Sequence, residues 1–194
     1  MPIALNFNSY AKQKPQPQFG QFGLDCLGSV DYEDTRKLAK QDLQVIIKEL
    51  NIGRKRNICD FGCGSGGPTM ALKELFNPDC MVAVDRCDYY KAPDRSIIFK
   101  CCDGIKYLEG GEKKFDLIAA QMLSPSVVDD GKLLKAAYNS LSEDGQLLIY
   151  SDSWTMEELI QDIKYQGIDY KSCKTFFDRP AVLIDKKELA SIRP

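Results

Sequence analysis

The run from Asn57 to Pro68 constrains the fold more than any other part of the sequence. It begins with an apolar stretch that ends at Asp60. Four glycines then follow within six residues: Gly62, Gly64, Gly66 and Gly67. Glycines at this spacing let the backbone turn sharply out of a strand and approach a ligand closely, and Pro68 suits the first position of a helix. The run therefore predicts a strand, a glycine-rich turn and a helix N-terminus, which is the arrangement of a nucleotide-type pocket.

The glycine spacing agrees with two ligand-binding patterns. Gly62, Gly64 and Gly67 fit G-x-G-x-x-G, which is typical of a dinucleotide-binding turn. The other pattern, D-x-G-x-G-x-G, also uses Asp60. Because a carboxylate ahead of the turn would repel a pyrophosphate at the backbone amides, Asp60 favours the second pattern. A turn without any ligand is disfavoured, since so many glycines cost conformational entropy on folding.

Segments of strand and helix character alternate along the chain. The predicted strands are one that ends at Asp60, then 81–85, 96–101, 115–121, 146–150, 171–177 and 181–185. The predicted helices are about 33–50 with Gly53 as its C′ residue, Pro68 to before Pro78, about 129–141 ended by Gly145, and one opened by a capping box at Thr155–Glu158. This alternation predicts a mostly parallel sheet with helices on both faces. The last two strands, with only a turn between them, predict an antiparallel hairpin.

Length and the N-terminal composition predict how the chain is organised. A chain of 194 residues is long enough for one α/β domain and short for a dehydrogenase with a second, substrate-binding domain. Residues 1–30 show neither helical nor strand periodicity and are predicted to form an arm or lid, with a single domain over 31–194. No signal-peptide pattern and no apolar run near the length of a membrane span is evident, so we expect a cytoplasmic protein without membrane contact.

The residue types present exclude several kinds of chemistry. The chain has 8 Cys and no His. No C-x-x-C pair occurs, so we expect no zinc site and reduced thiols. The lack of His disfavours serine-type triads and His-dependent dehydrogenases. A formal net charge of −2 disfavours a nucleic-acid partner.

The segment Asp60-Phe-Gly-Cys-Gly-Ser-Gly66 resembles the first motif of class I S-adenosylmethionine-dependent methyltransferases, and the C-terminal hairpin is similar to the edge of their sheet. The resemblance covers residues from about 35 to 185. It implies an α/β, Rossmann-like three-layer sandwich with a mostly parallel seven-stranded sheet and a C-terminal antiparallel hairpin. It also implies S-adenosylmethionine as the cofactor. This cofactor is a cation without phosphate and an activated methyl donor, so positioning can supply much of the catalysis without His.

The carboxyl ends of the strands supply the candidate cofactor-binding residues. Asp85 closes the second strand, where an acid can accept hydrogen bonds from ribose hydroxyls; a surface Asp that merely ends a strand is the alternative. The resemblance implies that Asp103 accepts from the adenine amino group, although an N-cap role is equally compatible. Met122 either packs on the adenine or, as we favour, fills the core. The full set of candidates is Asp60, Gly62, Cys63, Gly64, Asp85, Arg86, Asp103, Gly104, Gln121 and Met122.

The acceptor and the catalytic base are defined less sharply. The fourth strand is followed by Gln121-Met-Leu-Ser-Pro125 and not by the N-P-P-Y type motif of family members that methylate amino groups of nucleic acids, which favours transfer to O or N of a small molecule. Tyr150 and Asp152 are the candidate bases, and Trp154 lies near the expected substrate position. Asp129-Asp130 is attributed to a helix N-terminus, so no metal is expected. A nicotinamide-dependent oxidoreductase and a non-catalytic S-adenosylmethionine-binding module are the alternatives.

Overall fold

The structure, a computed structural model, describes residues 32–111, 113–123 and 131–190, without the side chain of Trp154. The predicted N-terminal arm and Asp129-Asp130 lie outside these ranges. No helix within the described ranges is both long enough and apolar enough to cross a membrane.

Strands and helices alternate through most of the described chain. The strands are β1 (Asn57–Phe61), β2 (Cys80–Asp85), β3 (Ile98–Cys101), β4 (Phe115–Gln121), β5 (Leu141–Tyr150), β6 (Lys171–Lys174) and β7 (Pro180–Asp185). The helices are α1 (Tyr32–Glu49), α2 (Gly67–Phe76), α3 (Gly104–Glu109), α4 (Lys132–Ser140), α5 (Ser153–Tyr165) and α6 (Lys186–Leu189).

The strands form one sheet of seven in the order β3-β2-β1-β4-β5-β7-β6. The first five strands in that order pair in parallel, whereas β7 pairs antiparallel with both β5 and β6. The predicted fold class, with its C-terminal antiparallel hairpin, is therefore confirmed. The strand order reverses between β1 and β4, and in sheets of this type a ligand binds in the crevice at the carboxyl ends of that pair.

Two apolar clusters cover the two faces of the sheet, which gives the three-layer sandwich. On one face Ile58 of β1 packs with Leu43 of α1 and Leu72 of α2. On the other face Cys59 packs in the cluster that includes Leu133 and Leu159, from α4 and α5. Because successive strand residues point to opposite faces, Asp60 lies on the face covered by α1 and α2.

Three predicted helix boundaries are wrong. Asn51, with φ 51°, adopts the left-handed conformation predicted for Gly53. Helix α4 ends at Ser140, and Gly145 lies inside β5, where a Cβ would meet the Phe115 carbonyl oxygen at 2.8 Å. Helix α5 is capped by Asp152 and not by Thr155, because the Asp152 carboxylate accepts from the Thr155 N–H at 3.0 Å.

Candidate functional site

The glycine loop after β1 is folded back against the end of β2. The N–H groups of Gly62 and Cys63 both donate to the Val84 carbonyl, at 2.8 and 3.1 Å, and the Gly66 N–H donates to the Cys63 carbonyl at 2.9 Å. The loop therefore satisfies part of its own backbone without a ligand. Around Gly64 a Cβ would meet no atom within 4 Å, so the loop is open to a ligand at this glycine.

The last two glycines of the loop are required by packing. Gly66 has φ 88°, and a Cβ there would lie 2.6 Å from the Tyr90 ring. At Gly67 a Cβ would lie 2.2 Å from Thr35 Oγ1 and 2.8 Å from the Arg36 backbone nitrogen. The sequence motif predicts close approach to a ligand, whereas at these two positions the close neighbours are an aromatic ring and helix α1.

Asp85 connects the end of β2 to the glycine loop. One carboxylate oxygen accepts from the Gly64 N–H at 2.9 Å, and the other accepts from the Cys87 N–H at 2.8 Å. A carboxylate oxygen has two acceptor sites, so each oxygen retains one for a further donor. Asp85 is thus more than a surface residue at the end of a strand. It fixes the loop and retains two acceptor sites next to it.

Asp103 and Gly104 lie at the start of α3 and both have structural roles. Asp103 is exposed, and its Oδ1 accepts from the Lys106 N–H at 3.0 Å, so the N-cap interpretation is correct. The cap uses one carboxylate oxygen, which leaves the other as an acceptor for a ligand. A Cβ at Gly104 would lie 2.5 Å from the Phe61 ring, so this glycine is needed where α3 meets the end of β1.

Four side chains form a buried hydrogen-bonded chain beneath the loop. Thr69 Oγ1 donates to Asp60 Oδ2 at 2.6 Å, and Gln121 Nε2 donates to Asp60 Oδ1 at 3.2 Å. The Tyr150 hydroxyl donates to Gln121 Oε1. All four side chains are buried, and the hydrogen bonds between them connect α2, β1, β4 and β5. We call this set, Thr69, Asp60, Gln121 and Tyr150, the Asp60 network.

Burial raises the pKa of Asp60 to about 7, against the lowering effect of the hydrogen bonds from Thr69 and Gln121, and the charge of Asp85 raises it further. An Asp in an unfolded chain has a pKa of about 3.9. Between these values the folded protein retains a proton that the unfolded chain releases. The contribution of Asp60 to stability therefore falls as the pH rises from about 4 to about 7 and is constant above that range.

We expect Asp60→Asn to stabilise the protein at about pH 8 and to change its stability little at about pH 4. The pKa shift of about three units corresponds to about 4 kcal/mol of unfolding free energy. The wild type loses this stability when Asp60 ionises at high pH, whereas the amide variant, which does not ionise, retains it. Urea unfolding at the two pH values measures the difference. The control is Asp169→Asn, which removes an exposed carboxylate between α5 and β6. A stability difference independent of pH would contradict the expectation.

Three further predicted cofactor contacts lie in different environments. The Gln121 side chain is committed to the Asp60 network and not to the crevice. The Cys63 thiol is buried, and burial raises its pKa, so it is unreactive as a nucleophile. Arg86 is exposed at the end of β2.

The prediction that Met122 fills the core is wrong. Met122 follows β4 with φ 51° and is 46% exposed. Its N–H donates to the Tyr150 carbonyl at 2.9 Å, which holds the residue at the end of the strand. The sequence pattern does not reveal this, because a left-handed methionine after an apolar strand looks like one more core residue. An exposed thioether therefore lies beside the switch point of the sheet.

Both candidate bases form hydrogen bonds within the protein. The Tyr150 hydroxyl is buried in the Asp60 network, and burial raises its pKa well above the usual range. Burial also acts to raise the pKa of Asp152, but the hydrogen bonds from the Thr155 N–H and hydroxyl and from Ser151 outweigh it and hold the pKa below the usual range. Both side chains therefore stabilise the ends of β5 and α5.

The seven-stranded sheet, its antiparallel end and the acid-preceded glycine loop define a Rossmann-like methyltransferase. The sequence model of the methyltransferase domain family matches residues 33–182, and the chain belongs to this family. It is an S-adenosylmethionine-dependent methyltransferase. The match decides between the two glycine patterns and removes the nicotinamide-dependent oxidoreductase as an alternative.

Solved structures share the fold at low sequence identity. The plantazolicin methyltransferase BpumL in complex with SAH has a TM-score of 0.63 and 15% identity, over 86% of this chain and 91% of that chain. The ribosomal protein L11 methylase of Lactobacillus delbrueckii subsp. bulgaricus has a TM-score of 0.58 and 20% identity, over 78% of each chain. A protein described as a ribosomal RNA methyltransferase from Plasmodium falciparum has a TM-score of 0.54 and 12% identity, over 76% of this chain and 95% of that chain. No curated protein sequence gives a significant match.

The residues at the carboxyl edge fit S-adenosylmethionine. The loop has open space at Gly64, and Asp85 retains acceptor sites for hydroxyl donors. The cofactor carries a sulfonium and an ammonium group, which suit carboxylates better than a pyrophosphate would. The chemistry of the donors and acceptors at this edge is thus consistent with the cofactor of the family.

Proposed function

We propose that this methyltransferase transfers the methyl group of S-adenosylmethionine to an oxygen or nitrogen atom of a small molecule. The acidic character of the edge where the acceptor must bind is the observation that carries the proposal. The last residue of β2, β3 and β5 and the three residues after each include four carboxylates, Asp85, Asp88, Asp103 and Asp152, and one cation, Arg86. A phosphate backbone would be repelled at such an edge, whereas a neutral or cationic small molecule would not.

In this proposal the cofactor is held by the loop and by the ends of β2 to β4. The backbone at Gly62, Cys63 and Gly64 lies against its methionine end. The two remaining acceptor sites of Asp85 take the ribose hydroxyls, and Arg86 borders the same sugar. The free oxygen of Asp103 takes the adenine amino group, beside Gly104. Met122 packs its thioether on the adenine face.

The chain acts by positioning, because the bound cofactor itself supplies an activated methyl group. Burial raises the pKa of Tyr150, and hydrogen bonds hold the pKa of Asp152 below its usual range, which supports transfer to an acceptor that needs no base. We therefore propose an acceptor that is already nucleophilic near neutral pH and whose overall charge is not negative, such as a neutral amine or the ionised oxygen of a molecule that also carries a cationic group. The proton of an amine acceptor leaves to water after transfer.

Transfer of an isotopically labelled methyl group tests the proposal. Purified protein is incubated with labelled S-adenosylmethionine and, in separate reactions, with a panel of small phenols and amines, with total RNA and with a peptide library. We expect label in a small molecule, detected as a mass increase of one methyl group. Label found in RNA or peptide, with none in the small-molecule panel, would overturn the acceptor class. Failure of the protein to bind the cofactor in a calorimetric titration would overturn the proposed site.

A further inference from the structure

We infer that Tyr150 and Gln121 are positioning residues that hold Asp60 as a hydrogen-bond acceptor beneath the glycine loop, and that this carboxylate makes the site prefer the cationic cofactor over its neutral-sulfur product. The inference rests on the proposed cofactor site. It assigns to the Asp60 network a part in distinguishing S-adenosylmethionine from S-adenosylhomocysteine.

The Gln121 amide presents its donor to Asp60 and its acceptor to Tyr150. Its Nε2 group donates to Asp60 Oδ1 at 3.2 Å, and its Oε1 accepts from the Tyr150 hydroxyl. A reversed amide would direct its carbonyl oxygen at the carboxylate, which is favourable only when Asp60 carries a proton. Since Tyr150 and Gln121 are buried, water cannot replace either hydrogen bond. The Tyr150 hydroxyl thus satisfies the carbonyl of the amide that stabilises the ionised form of Asp60.

Within the described part of the chain, no cation is among the groups that shift the pKa of Asp60. Its hydrogen-bond donors, Thr69 and Gln121, are neutral, and the charged group that acts on it is Asp85, another acid. A buried carboxylate without a cation is costly, so its ionised form gains from any cation that enters nearby. In the proposed site the sulfonium of the cofactor would be such a cation.

The other groups around the network come from several elements. Burial raises the pKa of three nearby groups, and the charge of Asp60 raises it further. These groups are the thiols of Cys59 on β1 and Cys63 in the loop and the phenol of Tyr90 after β2. Burial raises the pKa of Tyr150, the charges of Asp42 on α1 and of Asp60 raise it further, and the charge of Arg179 lowers it. Asp42 and Arg179 form an ion pair at 3.1 Å.

Methyl transfer removes the positive charge that Asp60 favours. The acceptor lone pair forms a new bond to the methyl carbon while the sulfur–methyl bond breaks. The electron pair of that bond remains on sulfur, which changes from a sulfonium to a neutral sulfide. The ammonium and carboxylate of the methionine end are the same before and after. An ionised Asp60 therefore binds the substrate form of the cofactor more strongly than the product form, which promotes product release.

The experiment is a calorimetric comparison of the two ligands on wild type, Asp60→Asn, Tyr150→Phe and Tyr138→Phe. Tyr138 is an exposed phenol on α4 and serves as the matched control. For Asp60→Asn we expect S-adenosylmethionine to bind about tenfold more weakly and S-adenosylhomocysteine to change by less than about threefold. For Tyr150→Phe the preference for S-adenosylmethionine is expected to develop at a higher pH than in wild type. The buried Gln121 carbonyl then lacks its donor, so the amide is held less firmly against Asp60 and the pKa of Asp60 rises. Tyr138→Phe is expected to match wild type in both respects.

The outcomes separate this inference from the proposed function. If wild type binds neither ligand, the cofactor site itself is wrong. If wild type binds both, but Asp60→Asn weakens both to the same extent, the network has only a structural role and the inference is overturned. An unchanged pH profile in Tyr150→Phe, with a thermal unfolding curve like that of wild type, overturns the role of Tyr150.

Discussion

Replacing Asp85 with alanine is expected to weaken the binding of S-adenosylmethionine by about 100-fold. In the proposed site the carboxylate accepts from both ribose hydroxyls, and charge-assisted hydrogen bonds of this kind contribute about 1.5–3 kcal/mol each. The variant also loses the two bonds that Asp85 accepts from Gly64 and Cys87, so the loop is less ordered before the ligand arrives. Isothermal titration calorimetry of wild type and variant measures the ratio.

The matched control for Asp85 is Asp88→Ala, which removes an exposed carboxylate three residues further along the same edge. We expect its affinity to stay within about twofold of wild type, because screened surface charges contribute little. Asp85→Asn keeps the shape of the side chain and removes its charge, so we expect its affinity for S-adenosylmethionine to lie between those of Asp85→Ala and Asp88→Ala. Wild-type affinity in Asp85→Ala would show that the ribose is bound elsewhere.

Gly67→Ala is expected to destabilise the protein by about 3 kcal/mol, the upper end of what overpacking costs. The added Cβ would lie 2.2 Å from Thr35 Oγ1 and 2.8 Å from both the Arg36 nitrogen and the Tyr32 carbonyl oxygen. Two of these three atoms belong to the α1 backbone, so the helix itself must shift away from α2. The free energy of unfolding in urea gives the size of the effect.

Gly53→Ala is the control for this substitution. At Gly53 a Cβ would meet no atom within 4 Å, and the residue does not have a positive φ. We expect a change within about 0.5 kcal/mol of wild type. If Gly67→Ala were equally well tolerated, the close packing of α1 on the loop would be refuted.

The fold was predictable because its signals are local in the sequence. Strand β4 was predicted at its observed bounds, and the C-terminal hairpin follows from two strand segments separated by a short turn. The boundaries that failed depend on neighbours in space. Gly145 looks like a helix terminator, yet it lies in β5 because the Phe115 backbone approaches too closely for a side chain.

The candidate site was predictable only in part. The carboxylates Asp60 and Asp85 were recognised from their positions at strand ends, since period and spacing carry that information. The hydrogen-bond partners of Asp60 were not predicted, because they are distant from it in sequence. Asp60 and Tyr150 lie on different strands and are connected only through Gln121. For the same reason Tyr150 was predicted to be a base, although burial makes it a hydrogen-bond donor within the core.

The sequence by itself determined the order of strands and helices, the acid-preceded glycine loop and the cofactor class, because each depends on residue types at short, fixed spacings. Only the tertiary structure decided what the loop glycines pack against, where Met122 lies and how Asp60 is bonded. Those properties arise when β1, β4 and β5 align and α1 closes over the loop. Side chains distant in sequence then share one buried environment, where a missing cation or an added methyl group has a large energetic effect.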